Sequence, residues 1–282
     1  MHSKTEIIRE PFLLFCKDNY FNKEFYNKLK GEIRIILNNK ENLKFHTNGQ
    51  ENDGFYMLGG GNGYGDNIKD NLYFEDSVEF LKHNYGNYQY FNEVLDYFTS
   101  NKFCNFINKK LEGNSFNFRK IKFFSPKKKI SLLEYIFFKP LYVSIKLSQY
   151  SNGGKINIHR DNPKKYFAFL YYLGFTDNQI RGEGGTQFYK ANNNSKFFED
   201  HDLKNEKEMK LFKSISPVDN RMCGFKISND SWHGVSKLSN LPENCYRMNI
   251  QVNLMKFEKF DQNLTFILNI LKSIKKFFRT KR

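Results

Sequence analysis

The chain has 282 residues, of which 39% are hydrophobic and 17% aromatic, and it carries a formal net charge of +15. Disordered chains are poor in aromatic residues, so this composition excludes a largely disordered protein and predicts a buried core. A basic chain attracts polyanions, but most of its basic residues are Lys, whereas dedicated readers of phosphates and bases favour Arg. The charge therefore argues only weakly for a nucleic-acid partner and does not exclude one.

Membrane insertion, secretion and a disulfide scaffold are not indicated. No apolar run approaches the roughly 18 residues that span a bilayer. The N-terminal apolar stretch is interrupted by Arg9, Glu10 and Pro11, which is not the pattern of a signal peptide. The four cysteines have no CxxC spacing, so neither a thiolate zinc site nor a disulfide framework is expected. We therefore expect a soluble protein of the reducing cytoplasm without a transmembrane segment.

Residues 1–140 are predicted to form a helical and strand support region within the same domain as the rest of the chain. Apolar residues at spacings of three and four predict an amphipathic helix over residues 19–37, capped by Asn22. These residues are Phe21, Phe25, Leu29, Ile33 and Ile36. Residues 59–65 are glycine-rich but match no phosphate-binding motif, so we expect a surface loop there. A second helical stretch, rich in Phe and Tyr, is expected within residues 72–111.

Between residues 141 and 256 the pattern changes to short β-type runs separated by turns. Six strand candidates cover residues 141–150, 155–161, 166–175, 184–191, 220–227 and 246–255. Runs of this kind and number predict an antiparallel sandwich or barrel. Residues 192–214 are polar and rich in Asn and Lys, and we expect them to form a surface insertion that contributes to a substrate lid.

Residues 257–282 form a basic segment that is predicted to be a C-terminal helix or tail. Its apolar residues alternate with Lys and Arg in a way that suits an amphipathic helix. A packed terminal helix with a solvated charged face is the favoured interpretation. Peripheral contact with an anionic membrane is the alternative.

One strand candidate carries polar residues of types that can bind a metal or take part in catalysis. In residues 155–161, KINIHRD, alternate side chains place Asn157, His159 and Asp161 on one face, with Ile156 and Ile158 on the other. Taken alone, this polar face is more often simply solvated. Residues 246–255 show the same division, because Arg247 and the asparagines share one face and the apolar residues share the other.

His233, which comes later in the chain, suggests a further interpretation of the pair His159 and Asp161. His233 follows in the segment Trp232–Val235, and Arg247 comes 14 residues after it. Two imidazoles and one carboxylate can hold Fe(II) on one face and leave the opposite positions open for a cosubstrate and dioxygen. An arginine can grip a second carboxylate through its planar fork. Together these residues suggest an iron site with a carboxylate-binding group.

Five segments in order carry a resemblance to a known family. They are Gln149–Pro163 with HRDNP, Phe169–Phe175 (FLYYLGF), Gly182–Tyr189 (GEGGTQFY), Ile215–Val235 and the YRMNI segment at 246–250. In this order they resemble the Fe(II)- and 2-oxoglutarate-dependent oxygenases, and within them the prolyl-hydroxylase-like branch. The resemblance covers residues 141–256.

The resemblance implies a mainly β fold with flanking helices, in which residues 141–256 form a double-stranded β-helix, or jelly roll, as the catalytic core. It implies that His159, Asp161 and His233 hold Fe(II), and that Asp161 favours hydroxylation over halogenation. It also implies that Arg247 and Tyr172 bind the distal carboxylate of 2-oxoglutarate, with Tyr150 near the metal-proximal end. Dioxygen would be the second cosubstrate and ascorbate an accessory reductant.

Two departures and two alternative functions accompany the resemblance. The interval between His233 and Arg247 is longer than in the animal prolyl hydroxylases, and Asn249 stands where the family often has Ser or Thr. The expected reaction is hydroxylation of a peptidyl proline, an amino acid, or a small metabolite or glycan, with release of succinate and CO2. A nucleic-acid demethylase with the same iron site is an alternative prompted by the charge, and a non-catalytic metal-binding β-barrel protein is another.

Overall fold

The structure is a computed structural model that describes residues 5–39, 44–46, 55–58, 77–112, 119–177, 184–191 and 209–257. Its helices are α1 (Lys23–Asn38), α2 (Ser77–Tyr85), α3 (Gln89–Thr99), α4 (Asn101–Phe106), which continues into a π-helical turn (Ile107–Leu111), and α5 (Leu132–Phe137). The helical stretch predicted within residues 72–111 is therefore present as α2 to α4 and the π-helical turn.

Helix α1 forms where the sequence predicts it. The side-chain oxygen of Asn22 accepts a hydrogen bond from the Phe25 amide at 2.8 Å, which satisfies one of the free donors at the start of the helix. Leu29, Ile33 and Ile36 are buried. This apolar stripe packs against α3 and belongs to the same hydrophobic cluster as the outer face of the larger sheet.

Thirteen strands occur in the described residues. Five precede the predicted barrel: β1 (Thr5–Ile8), β2 (Leu14–Lys17), β3 (Lys44–His46), β4 (Phe55–Leu58) and β5 (Lys120–Phe123). Eight follow: β6 (Phe138–Tyr150), β7 (Ile156–His159), β8 (Lys165–Phe175), β9 (Thr186–Ala191), β10 (Met209–Ile215), β11 (Arg221–Lys226), β12 (Trp232–Val235) and β13 (Arg247–Lys256).

The strands from β6 to β13 form two antiparallel sheets. The larger sheet has the central order β11-β8-β13-β6, and the smaller sheet has the order β10-β9-β12-β7. Successive strands alternate between the sheets, except that β9 and β10 are neighbours in the smaller one. This connectivity is that of a double-stranded β-helix, so the predicted mainly β fold with flanking helices is confirmed. On one side β2 and β1 extend the larger sheet beyond β11, and on the other β4 and β3 extend it beyond β6, with β5 parallel to β6.

Pleating gives the larger sheet two different faces. Ile250 and Val252 of β13 pack into the core beneath the helices. Residues of the opposite face meet the smaller sheet, as Tyr172 of β8 does in its cluster with Phe188 of β9. We call the space between the two sheets the lumen. Because Asn249 lies directly opposite Tyr172 in the strand register, it also faces the lumen.

The structure corrects two details of the predicted strands. Residues 209–214, assigned above to a polar insertion, belong to β10 and pair with β9, so that prediction is wrong for this part. The strand that carries the HxD pair ends at His159, and Asp161 follows it in the connection to β8. Strand β10 keeps only its two ends buried, Met209 and Ile215, which explains why its sequence looks like a loop.

Several predicted segments fall wholly or partly outside the described residues. These are the glycine-rich stretch at 59–65, residues 192–208 of the insertion, and residues 258–282 of the basic tail. The division at residues 140 and 257 remains a prediction. Among the residues that the structure does describe, no helix combines the length and the hydropathy needed to cross a bilayer.

Candidate metal centre

Two histidines and one aspartate meet at the end of the smaller sheet. His159, the last residue of β7, lies directly opposite His233 of β12, and their ring centroids are 4.3 Å apart. Asp161 follows two residues later and places Oδ2 3.7 Å from Nε2 of His233. One ligand atom from each of the three side chains lies within 4.8 Å of the others. The three residues predicted as metal ligands are thus brought together by strand pairing and by a short turn.

Both imidazoles are oriented by the backbone in the same way. Nδ1 of His159 lies 2.9 Å from the carbonyl oxygen of Asn157, and Nδ1 of His233 lies 2.9 Å from that of Ser231. A carbonyl oxygen can only accept, so each Nδ1 carries the proton. The lone pair then sits on Nε2, which is the atom a metal needs.

The charges at this cluster suit a divalent cation. Burial alone would raise the pKa of Asp161, but the adjacent ammonium of Lys165, with smaller contributions from His233 and His159, outweighs burial and holds that pKa well below its ordinary value. Burial, together with His159, lowers the pKa of His233 to about 3. At neutral pH the carboxylate is therefore charged and His233 is neutral, as metal ligation requires. Oδ2 of Asp161 is buried without a hydrogen-bond partner, so an acceptor is available where the three residues meet.

Lys165 is a member of this site that the sequence did not indicate. It is the first residue of β8, and its ammonium donates to Oδ1 of Asp161. The two side chains are only 11% and 8% exposed. A lysine four residues after an HxD motif carries no local signal of burial, because its environment depends on strands that come later in the chain.

Arg247 lies at the start of β13, directly opposite Tyr150 of β6. Its guanidinium carbon is 4.7 Å from the ring centroid of Tyr150 and 5.3 Å from that of Tyr172. The side chain is fully buried, yet none of its three nitrogens has a hydrogen-bond partner among the described residues. A buried, unpaired guanidinium is costly, and its planar fork is suited to a carboxylate. Tyr172 therefore lies against the predicted carboxylate-binding arginine as expected, whereas Tyr150, which was expected near the metal-proximal end, also contacts this arginine.

Polar groups surround this guanidinium on both sheets. The hydroxyl of Tyr172 lies 2.6 Å from that of Thr186 on β9, which links the two sheets across the lumen. Asn249 is buried, and neither its amide oxygen nor its nitrogen has a partner among the described residues. Burial raises the pKa of Tyr150, and the charge of Arg247 only partly offsets it, so the phenol stays neutral. Thr186 was not predicted, although it directly follows the glycine pair of the Gly182–Tyr189 segment.

Aromatic packing connects the metal cluster with the arginine. The ring of His233 lies 4.6 Å from that of Phe225 on β11. Phe225 shares a buried cluster with Tyr172 and Phe188, and Tyr172 contacts Arg247. The two candidate binding groups are therefore connected by one buried wall of the lumen.

Comparisons with known proteins address the fold. No family model matches the chain, and no curated protein sequence matches it. A prolyl hydroxylase from Trichoplax adhaerens, solved with a peptide of the hypoxia inducible factor oxygen degradation domain, is similar at 14% identity and a TM-score of 0.48, over 86% of this chain and 83% of that one. A prolyl-4-hydroxylase from Pseudomonas putida is similar at 10% identity and a TM-score of 0.41, over 87% and 94%.

A third solved structure is similar in the same range. AviO1 from Streptomyces viridochromogenes Tue57 shows 7% identity and a TM-score of 0.48, over 86% of this chain and 89% of that one. The strand order and the His-Asp-His cluster are observations on this chain itself. Together they define a double-stranded β-helix with a candidate metal site whose donor set suits Fe(II).

Proposed function

We propose that the protein is an Fe(II)- and 2-oxoglutarate-dependent dioxygenase that hydroxylates a C–H bond of its substrate and releases succinate and CO2. The observation that carries this proposal is the meeting of His159, Asp161 and His233, with both Nε2 atoms free and an unpartnered carboxylate oxygen. Two imidazoles and one carboxylate are the donor set of non-haem Fe(II) oxygenases.

Each part of the site has a role in this proposal. The three ligands hold the metal on one side, and Lys165 fixes Oδ1 of Asp161 so that Oδ2 is left to bind. Arg247 binds the distal carboxylate of 2-oxoglutarate, while Tyr172 and Thr186 offer hydroxyl groups to it. Bound Fe(II) supplies the activation of dioxygen, which no amino-acid side chain can perform. The buried aromatic wall excludes water and so protects the reaction from side products.

The test begins without oxygen. Purified protein is mixed anaerobically with Fe(II) and 2-oxoglutarate, and a weak visible charge-transfer band is expected from the chelated cosubstrate. The double variant His159→Ala, Asp161→Ala should lose the band, and Arg247→Ala should weaken or lose it. His83→Ala is the matched control, because His83 is an exposed histidine on α2 far from the cluster in sequence. Absence of the band in the wild-type protein would contradict the proposal.

Turnover distinguishes an enzyme from a metal-binding barrel. Under air the wild-type protein should convert 2-oxoglutarate to succinate, slowly without substrate and faster with it. The double variant should form none above the background of free Fe(II), and His83→Ala should match the wild type. A protein that shows the band but never forms succinate would be a non-catalytic metal-binding protein.

A further inference from the structure

Exposed apolar side chains are concentrated on the short helix α5. Within the described residues six large hydrophobic side chains are exposed, and three of them, Leu132, Leu133 and Phe137, belong to this six-residue helix. The other three lie apart from one another, on α1, on β10 and in the connection from β10 to β11. Single exposed apolar residues are normal on a protein surface, but a group on one short helix marks an interaction surface.

Helix α5 is fixed by hydrogen bonds at both of its ends. The Ser131 hydroxyl accepts from the Glu134 amide, and the Glu134 carboxylate accepts from the Ser131 amide, which is a reciprocal cap at the start of the helix. Near the other end, the guanidinium of Arg119 donates to the carbonyl oxygen of Tyr135 at 2.8 Å. The exposure of the apolar residues is therefore a property of an anchored helix.

The two faces of α5 have different surroundings. Tyr135 is buried and packs with Ile130 and Phe257. Leu133 and Phe137 are four residues apart, so they share one side of the helix, and Tyr135 between them points to the other side. The side chains of Leu133 and Phe137 are 65% and 62% exposed. The helix thus uses one face for packing and presents the other to its surroundings.

Basic side chains lie beside the apolar ones. Residues 119–139 contain seven basic residues and one acidic residue. The ammonium of Lys122 lies 4.7 Å from the ring centroid of Phe138, the residue that follows α5. The ammonium of Lys128 lies 4.6 Å from the ring centroid of Phe124. Positive charge and apolar surface are therefore interleaved in this part of the molecule.

Much of this charge is not neutralised. Lys127 and Lys128 each form an ion pair with a glutamate. Lys120, Lys122 and Lys129 are exposed, and in the part of the chain that the structure describes none of them pairs with a carboxylate. We call these three lysines together with the three exposed apolar residues of α5 the α5 patch, which consists of Lys120, Lys122, Lys129, Leu132, Leu133 and Phe137.

The α5 patch lies at the end of the larger sheet that is also close to the metal cluster. Helix α5 leads directly into β6, where Leu141 pairs with Lys256 of β13. The preceding residue of β13, Met255, pairs with Lys165 of β8, whose ammonium contacts Asp161. A partner that binds the patch would therefore approach this end of the barrel.

We propose that the α5 patch is a surface for peripheral binding to anionic membranes. The apolar side chains enter the boundary between headgroups and acyl chains, and the ammonium groups pair with anionic headgroups. A nucleic acid would satisfy the lysines but would leave the leucines in water, so the combination of groups favours a lipid surface. The proposal goes beyond the proposed enzymatic function and does not depend on it. It also concerns residues other than the basic tail.

The experiment measures binding to vesicles. Full-length protein in the presence of a chelator is mixed with vesicles of phosphatidylcholine alone or of equal parts phosphatidylcholine and phosphatidylserine, and bound protein is separated by flotation. The protein should bind the anionic vesicles and not the neutral ones, and added salt should weaken binding because it screens the lysines. A double-stranded DNA oligonucleotide, tested at the same salt concentration, is the competing polyanion.

The apolar part of the patch is tested by exposed-residue variants that leave the core intact. The double variant Leu133→Ser, Phe137→Ser should bind anionic vesicles about tenfold or more weakly, because it removes apolar surface that would leave water. Ile35→Ser is the matched control, since Ile35 is another exposed apolar residue, 59% exposed, on α1. It should bind like the wild type.

The basic part of the patch is tested in the same way. The double variant Lys122→Gln, Lys129→Gln should bind anionic vesicles about tenfold or more weakly at low salt, because each lysine near an anionic surface contributes to binding. Lys23→Gln, Lys210→Gln is the matched control, since it removes two exposed lysines on α1 and β10. It changes the net charge equally and should have a much smaller effect.

Three results would overturn the proposal. They are failure of the wild type to bind anionic vesicles, equal binding to neutral and anionic vesicles, and wild-type binding by both patch variants, which would assign membrane contact to other residues. Binding of the oligonucleotide without binding of vesicles would show that the lysines serve a nucleic acid instead. Mn(II) and 2-oxoglutarate should bind all the variants like the wild type, so failure of the proposed enzymatic function would be detected separately.

Discussion

Lys165 and Asp161 form an almost fully buried ion pair in which the ammonium contacts one carboxylate oxygen and leaves the other facing His233. The two oxygens therefore have different environments. Oδ1 is neutralised within the protein, and Oδ2 has no hydrogen-bond partner. This division favours binding of a metal through a single oxygen of Asp161 and leaves other coordination positions open.

Removing Lys165 should leave the buried charge of Asp161 without a partner and so destabilise the metal-free protein. We expect Lys165→Met to lower the unfolding free energy of the metal-free protein by about 3–5 kcal/mol, because it leaves a buried carboxylate without its partner. A divalent metal would restore the missing positive charge, so Mn(II) should raise the melting temperature of the variant more than that of the wild type. Denaturant unfolding with and without Mn(II) measures both effects.

A surface ion pair provides the control for this prediction. Lys213 contacts Glu6 at 2.9 Å, with side chains 35% and 45% exposed. Lys213→Met should cost less than about 1 kcal/mol and should not alter the response to Mn(II). Equal stability of Lys165→Met and Lys213→Met would show that the buried pair does not hold Asp161 as described.

Arg247→Met should separate stability from cosubstrate binding. Because the guanidinium is buried without a hydrogen-bond partner, its removal is expected to leave the metal-free protein as stable as the wild type or more so. At a hundredfold excess over Kd, 2-oxoglutarate should stabilise the Mn(II)-loaded wild type by about 2.7 kcal/mol, and it should not stabilise the variant. Arg247→Lys should bind 2-oxoglutarate about 10- to 100-fold more weakly, since it keeps the charge but loses the fork.

Thermal unfolding with increasing 2-oxoglutarate gives both parts of this result. Arg34→Met serves as the control, because Arg34 is exposed on α1 and should leave the stabilisation by 2-oxoglutarate intact. If 2-oxoglutarate raises the melting temperature of Arg247→Met as much as that of the wild type, the cosubstrate binds somewhere other than at Arg247.

Lys146 should make the stability of the metal-free protein depend on pH. An unfolded lysine keeps its proton up to about 10.5, whereas the folded side chain loses it at about 7, mainly through burial. Between these values the unfolded chain binds more protons, so stability rises with pH, by up to about 1.4 kcal/mol per pH unit, and is lost again as pH falls toward 7. The nearby charges of Lys165 and Asp161 modify this slope without reversing it.

Lys146→Met should flatten that dependence and be more stable than the wild type at pH 7. Denaturant unfolding between pH 7 and pH 10 measures the slope, and Lys120→Met should keep the wild-type value. An identical slope in the wild type and in Lys146→Met would mean that the folded lysine keeps its proton over the whole range.

Two glycines should respond in opposite ways to an added methyl group. At Gly224 of β11 a Cβ atom would lie 2.2 Å from a ring carbon of Phe169 on β8, so Gly224→Ala should destabilise the protein by about 1–3 kcal/mol. At Gly31 of α1 nothing lies within 4 Å, and Gly31→Ala should stabilise the helix by about 0.5–1 kcal/mol. If both substitutions raise the melting temperature, or both lower it, this description of the β8–β11 contact is wrong.

The parts of the fold that sequence patterns predicted are those with long, regular periodicity. Strand β13 was predicted nearly to its ends, because apolar residues such as Ile250 and Val252 alternate with polar ones over its whole length. Helix α1 was predicted for the same reason, because its apolar residues recur at spacings of three and four. The order of the motifs around His159 and His233 then predicted a double-stranded β-helix, which the sheet topology confirms.

The parts that were missed depend on contacts distant in sequence. Strands β1 and β2 have four residues each, too few for a periodic signal, and β2 is held by pairing with β11. Lys146 and Lys165 were not predicted because lysine is normally solvated, and only the assembled sheets bury these two. The alternation along a strand separates its two faces, but it does not say which polar face will be enclosed.

The placement of β2 beside β11 has a consequence for synthesis of the chain. Cys16 lies directly opposite Cys223, so β2 leaves the ribosome long before β11, the neighbour with which it pairs. A fragment that starts at the barrel would leave the backbone N–H and C=O groups of β11 without a partner on that side, and exposed strands of this kind recruit other chains. Strands β1 and β2 thus cover a side of β11 that could otherwise pair with another chain, and this cover can form only after β11 has been synthesised.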